Sequence, residues 1–126
     1  MCNYITKLIR CLKSIGYVRV DPSSSLPFNI YYGIPGISET EWIVRIYRDS
    51  GVWKYDIVND IVYMEAEYRD GGSIIYTKNA TGDYTYFSDI ITMMLEHKFD
   101  EVMRWLKYDK ELSIKNKKKQ IDKDFI

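Results

Sequence analysis

Residues 42–58 read Trp42-Ile43-Val44-Arg45-Ile46-Tyr47-Arg48-Asp49-Ser50-Gly51-Val52-Trp53-Lys54-Tyr55-Asp56-Ile57-Val58. Trp42, Val44 and Ile46 alternate with Ile43, Arg45 and Tyr47. That is the period of two expected when successive side chains point to opposite faces of a strand. Trp53, Tyr55 and Ile57 alternate in the same way with Lys54, Asp56 and Val58. Between the two runs, Asp49-Ser50-Gly51 supplies the residue types that tolerate the positive φ of a tight hairpin. The stretch predicts two antiparallel strands.

The pattern continues downstream. Asn59-Asp60 turns the chain into Ile61–Arg69, with Val62, Met64, Ala66 and Tyr68 on one side and Tyr63, Glu65, Glu67 and Arg69 on the other. Asp70-Gly71-Gly72 is a second turn, before a strand over Ser73–Lys78. Asn79–Asp83 then turns the chain into a strand at Tyr84–Phe87. Upstream, Tyr17–Val20 and Phe28–Tyr32 read as short strands. They are separated by Asp21-Pro22-Ser23-Ser24-Ser25, and Gly33-Ile34-Pro35-Gly36 ends the second. Residues 21–40 are the least regular part of the middle, and loops held by a rigid scaffold often carry function. The short downstream turns cannot hold the crossovers of parallel strands, so the sheet is an antiparallel meander of about five strands.

Helical periodicity flanks this sheet. Ile5, Leu8, Ile9, Leu12 and Ile15 fall on one face of a helix over 3–15, with Lys7, Arg10 and Ser14 opposite and Gly16 placed to cap its end. The exposed side carries too few cations for a membrane-surface anchor, so the stripe is read as core. Near the other end, Ser88 reads as an N-cap, with Asp89 set favourably against the helix dipole. Ile91, Met94, Leu95, Phe99, Val102, Met103 and Leu106 hold the stripe to about 107, and Asp100-Glu101 can cap a second helix if the chain bends after Lys98. The expected architecture is α+β. It has an N-terminal helix, a meander sheet, and a C-terminal helix packed on one sheet face. Residues 1–110 form its single domain, and 111–126 form a flexible basic tail containing Lys115-Asn116-Lys117-Lys118-Lys119.

Composition narrows the function classes. The 126 residues suffice for one core. No apolar run approaches the ~18 residues of a membrane span, and the N-terminus has no signal-peptide core. Cys2 and Cys11 form neither a disulfide framework nor a zinc pattern, which fits a reducing, cytoplasmic setting. There are 12 Tyr, 17 Ile and 12 Lys but only 2 Ala, a bias that accompanies A/T-rich coding in many phages and low-GC bacteria. A phage-encoded chain would work in the host cytoplasm. The zero net charge hides an uneven distribution. Residues 1–20 carry four cations and no anion, residues 21–103 carry a net −8, and residues 104–126 carry a net +4.

Catalytic chemistry finds little footing. His97 is the one histidine, and it has no patterned nucleophile or orienting partner. Glu65 and Glu67 share one strand face, as surface carboxylates commonly do. Gly71-Gly72 lacks the lysine and spacing of a phosphate loop. Asn79-Ala80-Thr81 matches a glycosylation sequon without a secretion signal to make it meaningful. No catalytic residue, metal ligand or cofactor is assigned.

Aromatics carry more. Tyr47, Tyr55, Tyr63, Tyr76, Tyr84 and Tyr86 recur through the sheet together with Trp42 and Trp53. Such residues pack across strands, and they also serve as protein–protein hot spots or as stacking platforms for single-stranded bases. Stacking platforms need cations to neutralise phosphates, whereas the surrounding charge is negative, so direct nucleic-acid binding is disfavoured. An acidic, aromatic surface suits a basic protein, such as a nucleic-acid-processing enzyme. The expected docking residues are Tyr55, Tyr63, Glu65, Glu67 and Asp70. The expected function is a non-enzymatic inhibitor or regulator of such a protein, comparable in kind to immunity, phage anti-defence and anti-CRISPR proteins. The alternative is a single-stranded nucleic-acid binder using the sheet aromatics and the lysine tail. No motif names a family.

Overall fold

In the computed structural model, residues 3–22, 28–37, 41–65, 72–76, 80–84 and 87–124 are described. Side-chain surroundings are described for those up to Tyr63 and for 87–108, 110 and 111. The first helix, α1 (Asn3–Ile15), turns Ile5, Leu8 and Leu12 fully into the core. Each such side chain contributes about 1.5–3 kcal/mol by leaving water. The helix ends where Gly16 takes φ +125°. There the Gly16 and Tyr17 amides both donate to Leu12 O, at 3.1 and 2.9 Å. A Cβ at Gly16 would stand 2.7 Å from the Phe99 ring, so glycine answers both the backbone conformation and the close approach.

Among the described residues seven strands follow: β1 (Val18–Val20), β2 (Ile30–Gly33), β3 (Val44–Asp49), β4 (Val52–Val58), β5 (Ile61–Glu65), β6 (Gly72–Tyr76) and β7 (Ala80–Tyr84). An antiparallel five-stranded sheet runs in the order β1-β2-β3-β4-β7, and β5 and β6 form a separate two-stranded hairpin between β4 and β7 in the chain. Ser50 and Gly51 take φ +52° and +79°, the double positive-φ turn that matches strand twist. This sets Val44 opposite Ile57 and Ile46 opposite Tyr55. Val44, Ile46, Tyr55 and Ile57 are all fully buried and join Leu8, Leu12, Leu95 and Val102 in one core.

The second helix, α2 (Asp89–Asp124), starts one residue after Ser88, whose carbonyl accepts the Thr92 amide at 3.1 Å. Ile91, Leu95 and Val102 are buried, while Met94, Phe99, Met103 and Leu106 pack partly against the core. Tyr17 locks the two helices together. Its hydroxyl donates to Leu95 O at 2.8 Å, and its ring meets Phe99 at 5.4 Å. The Tyr4 hydroxyl donates to Trp53 O, tying α1 to the sheet.

The fold is the expected α+β arrangement, with differences at the boundaries and in strand order, since β5 and β6 leave the expected meander and β4 pairs with β7. Strand β7 is Ala80–Tyr84, so it covers most of the stretch read as a turn and only the first residue of the expected strand Tyr84–Phe87, of which 85 and 86 lie outside the described residues. Tyr55 pairs with Tyr84 and Ile57 with Thr81, so β7 spends one extra residue where Gly82-Asp83 sits. A bulge explains turn-like residues inside a strand. β2 starts at Ile30, leaving Phe28 outside it and 86% exposed. β5 is described as far as Glu65, so the expected continuation to Arg69 lies outside the described residues. No bend follows Lys98, because α2 is one helix of 36 residues, about 54 Å long. Its backbone stays helical through the segment expected as a flexible tail, and no helix end marks residue 110.

Candidate functional surface

The hairpin and α2 meet through aromatic rings. Tyr63 on β5 stacks on Trp105 of α2, with centroids 4.7 Å apart and planes within 11°. Tyr108 meets Tyr63 edge-on at 5.6 Å and Trp105 at 6.3 Å. Tyr108 stays 48% exposed and Val62, next to Tyr63, 40% exposed. The Trp105 indole N–H is buried and finds no hydrogen-bond acceptor among the described residues. Aromatic groups with buried bodies and accessible edges suit a protein interface, because little side-chain entropy remains to be lost on binding.

Below this cluster lies the turn from β4 into β5. Lys98 donates its ammonium to Asn59 O at 2.6 Å. Partial burial pushes the Lys98 pKa down, while the carboxylates of Asp60 and Glu101 pull it back up. Asn59, Asp60 and Ile61 face Met93, Met94, His97, Lys98 and Glu101 across a cleft of about 380 Å³.

The sheet face away from the helices is built differently. Arg45 and Asp56 pair directly across β3 and β4, with Arg45 Nε 3.1 Å from Asp56 Oδ2 and an Arg45 Nη2 contact to the same oxygen. Asp56 is only 4% exposed, and the Tyr47 hydroxyl reaches its other oxygen at 3.5 Å. The Arg45 guanidinium also sits 5.6 Å from the Trp42 ring centre and 5.1 Å from that of Tyr47. Arg48 covers Trp53 at 5.9 Å, and Lys54 pairs with Asp49 at 3.2 Å. Each of these cations is already engaged by a carboxylate or a ring.

Of the residues expected at the docking surface, Tyr63 is in the cluster just described. Tyr55 is not on a surface at all. It opposes Ile46 on the helix-covered face and is 0% exposed, which removes it as a contact residue. The alternation that groups Tyr55 with Trp53 and Ile57 already ran toward the apolar side. Glu65 ends β5, its backbone opposite Gly72, and its side chain lies outside the described residues together with Glu67 and Asp70. His97 is exposed on α2, and Cys11 is half-buried with its thiol 3.7 Å from the Thr92 hydroxyl. Among the described residues no cluster of three or more His, Cys, Asp or Glu can hold a metal, and no helix is long and apolar enough to cross a membrane.

Trp105 and Tyr108 were not singled out by the sequence. The signal available was their spacing of three, which places both on one flank of α2 beside the core stripe. No family model, curated protein or solved structure matches the chain.

Proposed function

We propose that this chain is a non-enzymatic protein-binding module that inhibits or regulates a larger basic protein in the cytoplasm, in the manner of immunity and anti-defence proteins. The observation that carries the reading is the Tyr63–Trp105–Tyr108 cluster, whose edge is partly exposed and whose Tyr63 lies, in the sequence, within an acidic stretch. Asp60 precedes Tyr63 by three residues, and Glu65, Glu67 and Asp70 follow it within seven. Anchoring rings beside a run of carboxylates suit a partner with Lys and Arg around an apolar patch. The charge steers the encounter, and the rings supply the packed area that holds the complex.

The competing class is a single-stranded nucleic-acid binder. The engagement of Arg45 with Asp56, Arg48 with Trp53 and Lys54 with Asp49 weighs against it, since those cations are not held ready for phosphates. Affinity capture from an extract of the source organism, with and without nuclease, separates the two. A basic protein retained after nuclease supports the present reading. Captured nucleic acid with no retained protein rejects it.

A further inference from the structure

The outer face of α1 carries charge of one sign that the fold leaves unanswered. Ile5, Leu8 and Leu12 turn fully into the core, and Tyr4, Ile9 and Ile15 pack partly against it. On the other side Asn3, Lys7, Arg10, Lys13 and Ser14 are all exposed. At 3.6 residues per turn these five share one flank, about 120° of arc. The helix contains no carboxylate, and only Lys13 stands in the last turn, where the helix dipole favours a cation. Among the described residues no ion pair or ring contact engages Lys7, Arg10 or Lys13. A face that only has to stay in water mixes both signs, with Glu–Lys pairs one turn apart. This one does not.

We propose that this face of α1 binds the phosphate backbone of a nucleic-acid duplex without reading its sequence. Charge complementarity selects an anionic occupant, and the rest of the face selects among anions. None of the exposed large apolar side chains lies on α1, so an acidic protein would find no apolar centre to pack against. An anionic membrane draws an amphipathic helix in by its apolar face, and that of α1 is already used in the core. Single strands are held by stacked rings, and the one ring on α1, Tyr4, is half-buried with its hydroxyl on Trp53 O. A duplex backbone asks only for cations and small polar groups, which Lys7, Arg10 and Lys13 supply together with Asn3 and Ser14. The sheet aromatics and the lysine-rich end of α2 take no part. The proposal is independent of the basic-partner reading, whose surface lies at Tyr63.

The test is fluorescence anisotropy of a short mixed-sequence DNA duplex titrated with the full chain at several salt concentrations. The logarithm of affinity should fall against the logarithm of salt with a slope of about −3, roughly 0.9 for each cation. Changing Lys7, Arg10 or Lys13 singly to Gln should reduce that slope by about one and weaken binding equally on duplexes of different sequence. Lys7→Gln, Arg10→Gln and Lys13→Gln together should abolish binding. Circular dichroism confirms the fold of each variant, since all three side chains lie outside the core. No binding at low salt, a salt-independent affinity, or unchanged binding in the triple variant would overturn the proposal. So would tighter binding to a single strand of the same sequence or to phosphatidylserine vesicles. Binding that survives the triple change and is lost when Lys115, Lys117, Lys118 and Lys119 become Gln would assign the phosphates to that segment and overturn it as well. None of these results bears on capture of a basic protein, which Glu65 and Glu67 test separately.

Discussion

Tyr63 of β5 lies flat on Trp105 of α2, 4.7 Å between ring centres, and this contact fastens the hairpin to the rest of the molecule. Among the described residues no backbone ladder joins β5 and β6 to the five-stranded sheet. An isolated two-stranded hairpin is marginal in water, so side-chain packing on α2 must supply what the missing ladder does not.

Tyr63→Ala and Trp105→Ala should therefore loosen the hairpin selectively. The stack is worth about 0.5–1.5 kcal/mol beyond the area it buries. Amide exchange should quicken in β5 and β6, while β3 and β4 keep their protection. Trp105→Phe should cost less, since it keeps a ring and removes an indole N–H that has no acceptor among the described residues.

At the end of α1, Gly16→Ala should destabilise the whole domain. It places a Cβ 2.7 Å from Phe99 at φ +125°, where side chains are strained. A loss of roughly 1–3 kcal/mol is expected in urea unfolding. Combining it with Phe99→Leu should recover the steric part and leave the backbone part.

Asp56 gives a third test. Asp56→Ala leaves the Arg45 guanidinium without its buried carboxylate partner and should cost about 1–3 kcal/mol. Arg45→Met with Asp56→Leu replaces both members by apolar groups and should cost less than Asp56→Ala alone, as measured by denaturant midpoints.

Much of this was legible from periodicity. Leu8, Leu12, Leu95 and Val102 announce buried helix faces at a spacing near 3.6, and Asp49-Ser50-Gly51 announces the hairpin by its φ requirements. β7 was displaced because Gly82-Asp83 carries turn chemistry inside a bulged strand, which local preference cannot distinguish from a turn. The aromatic cluster was half legible. Alternation put Tyr63 on a side of β5 that can leave the core, but only tertiary placement brings Trp105 to it across 42 residues of chain. Tyr55 is not legible as a core residue from its type, because aromatic residues serve cores and interfaces alike; the structure sets it opposite Ile46 within the buried core.

Lys98 predicts a pH dependence. Its pKa is lowered in the folded chain, first by burial, so the unfolded chain holds the proton more tightly. Folding thus gains stability as pH rises from the lowered value toward the ordinary 10.5, and the penalty is fully present below that window. In urea unfolding between pH 8 and 10.5, wild type should gain stability relative to Lys98→Met. A constant difference between the two would contradict the burial of the ammonium.

The proposed function has a basic protein dock beside Tyr63 through the acidic β5 region. Its most direct measurement is the binding kinetics of the captured partner with Glu65→Lys combined with Glu67→Lys, at low and at high salt. Association should slow by about tenfold or more at low salt, and the deficit should shrink as salt is added. Tyr63→Ala should instead speed dissociation. Unchanged association after both reversals would rule out docking through this region. So would tighter binding of single-stranded nucleic acid by the lysine variant together with weaker binding on deletion of Lys115–Lys119.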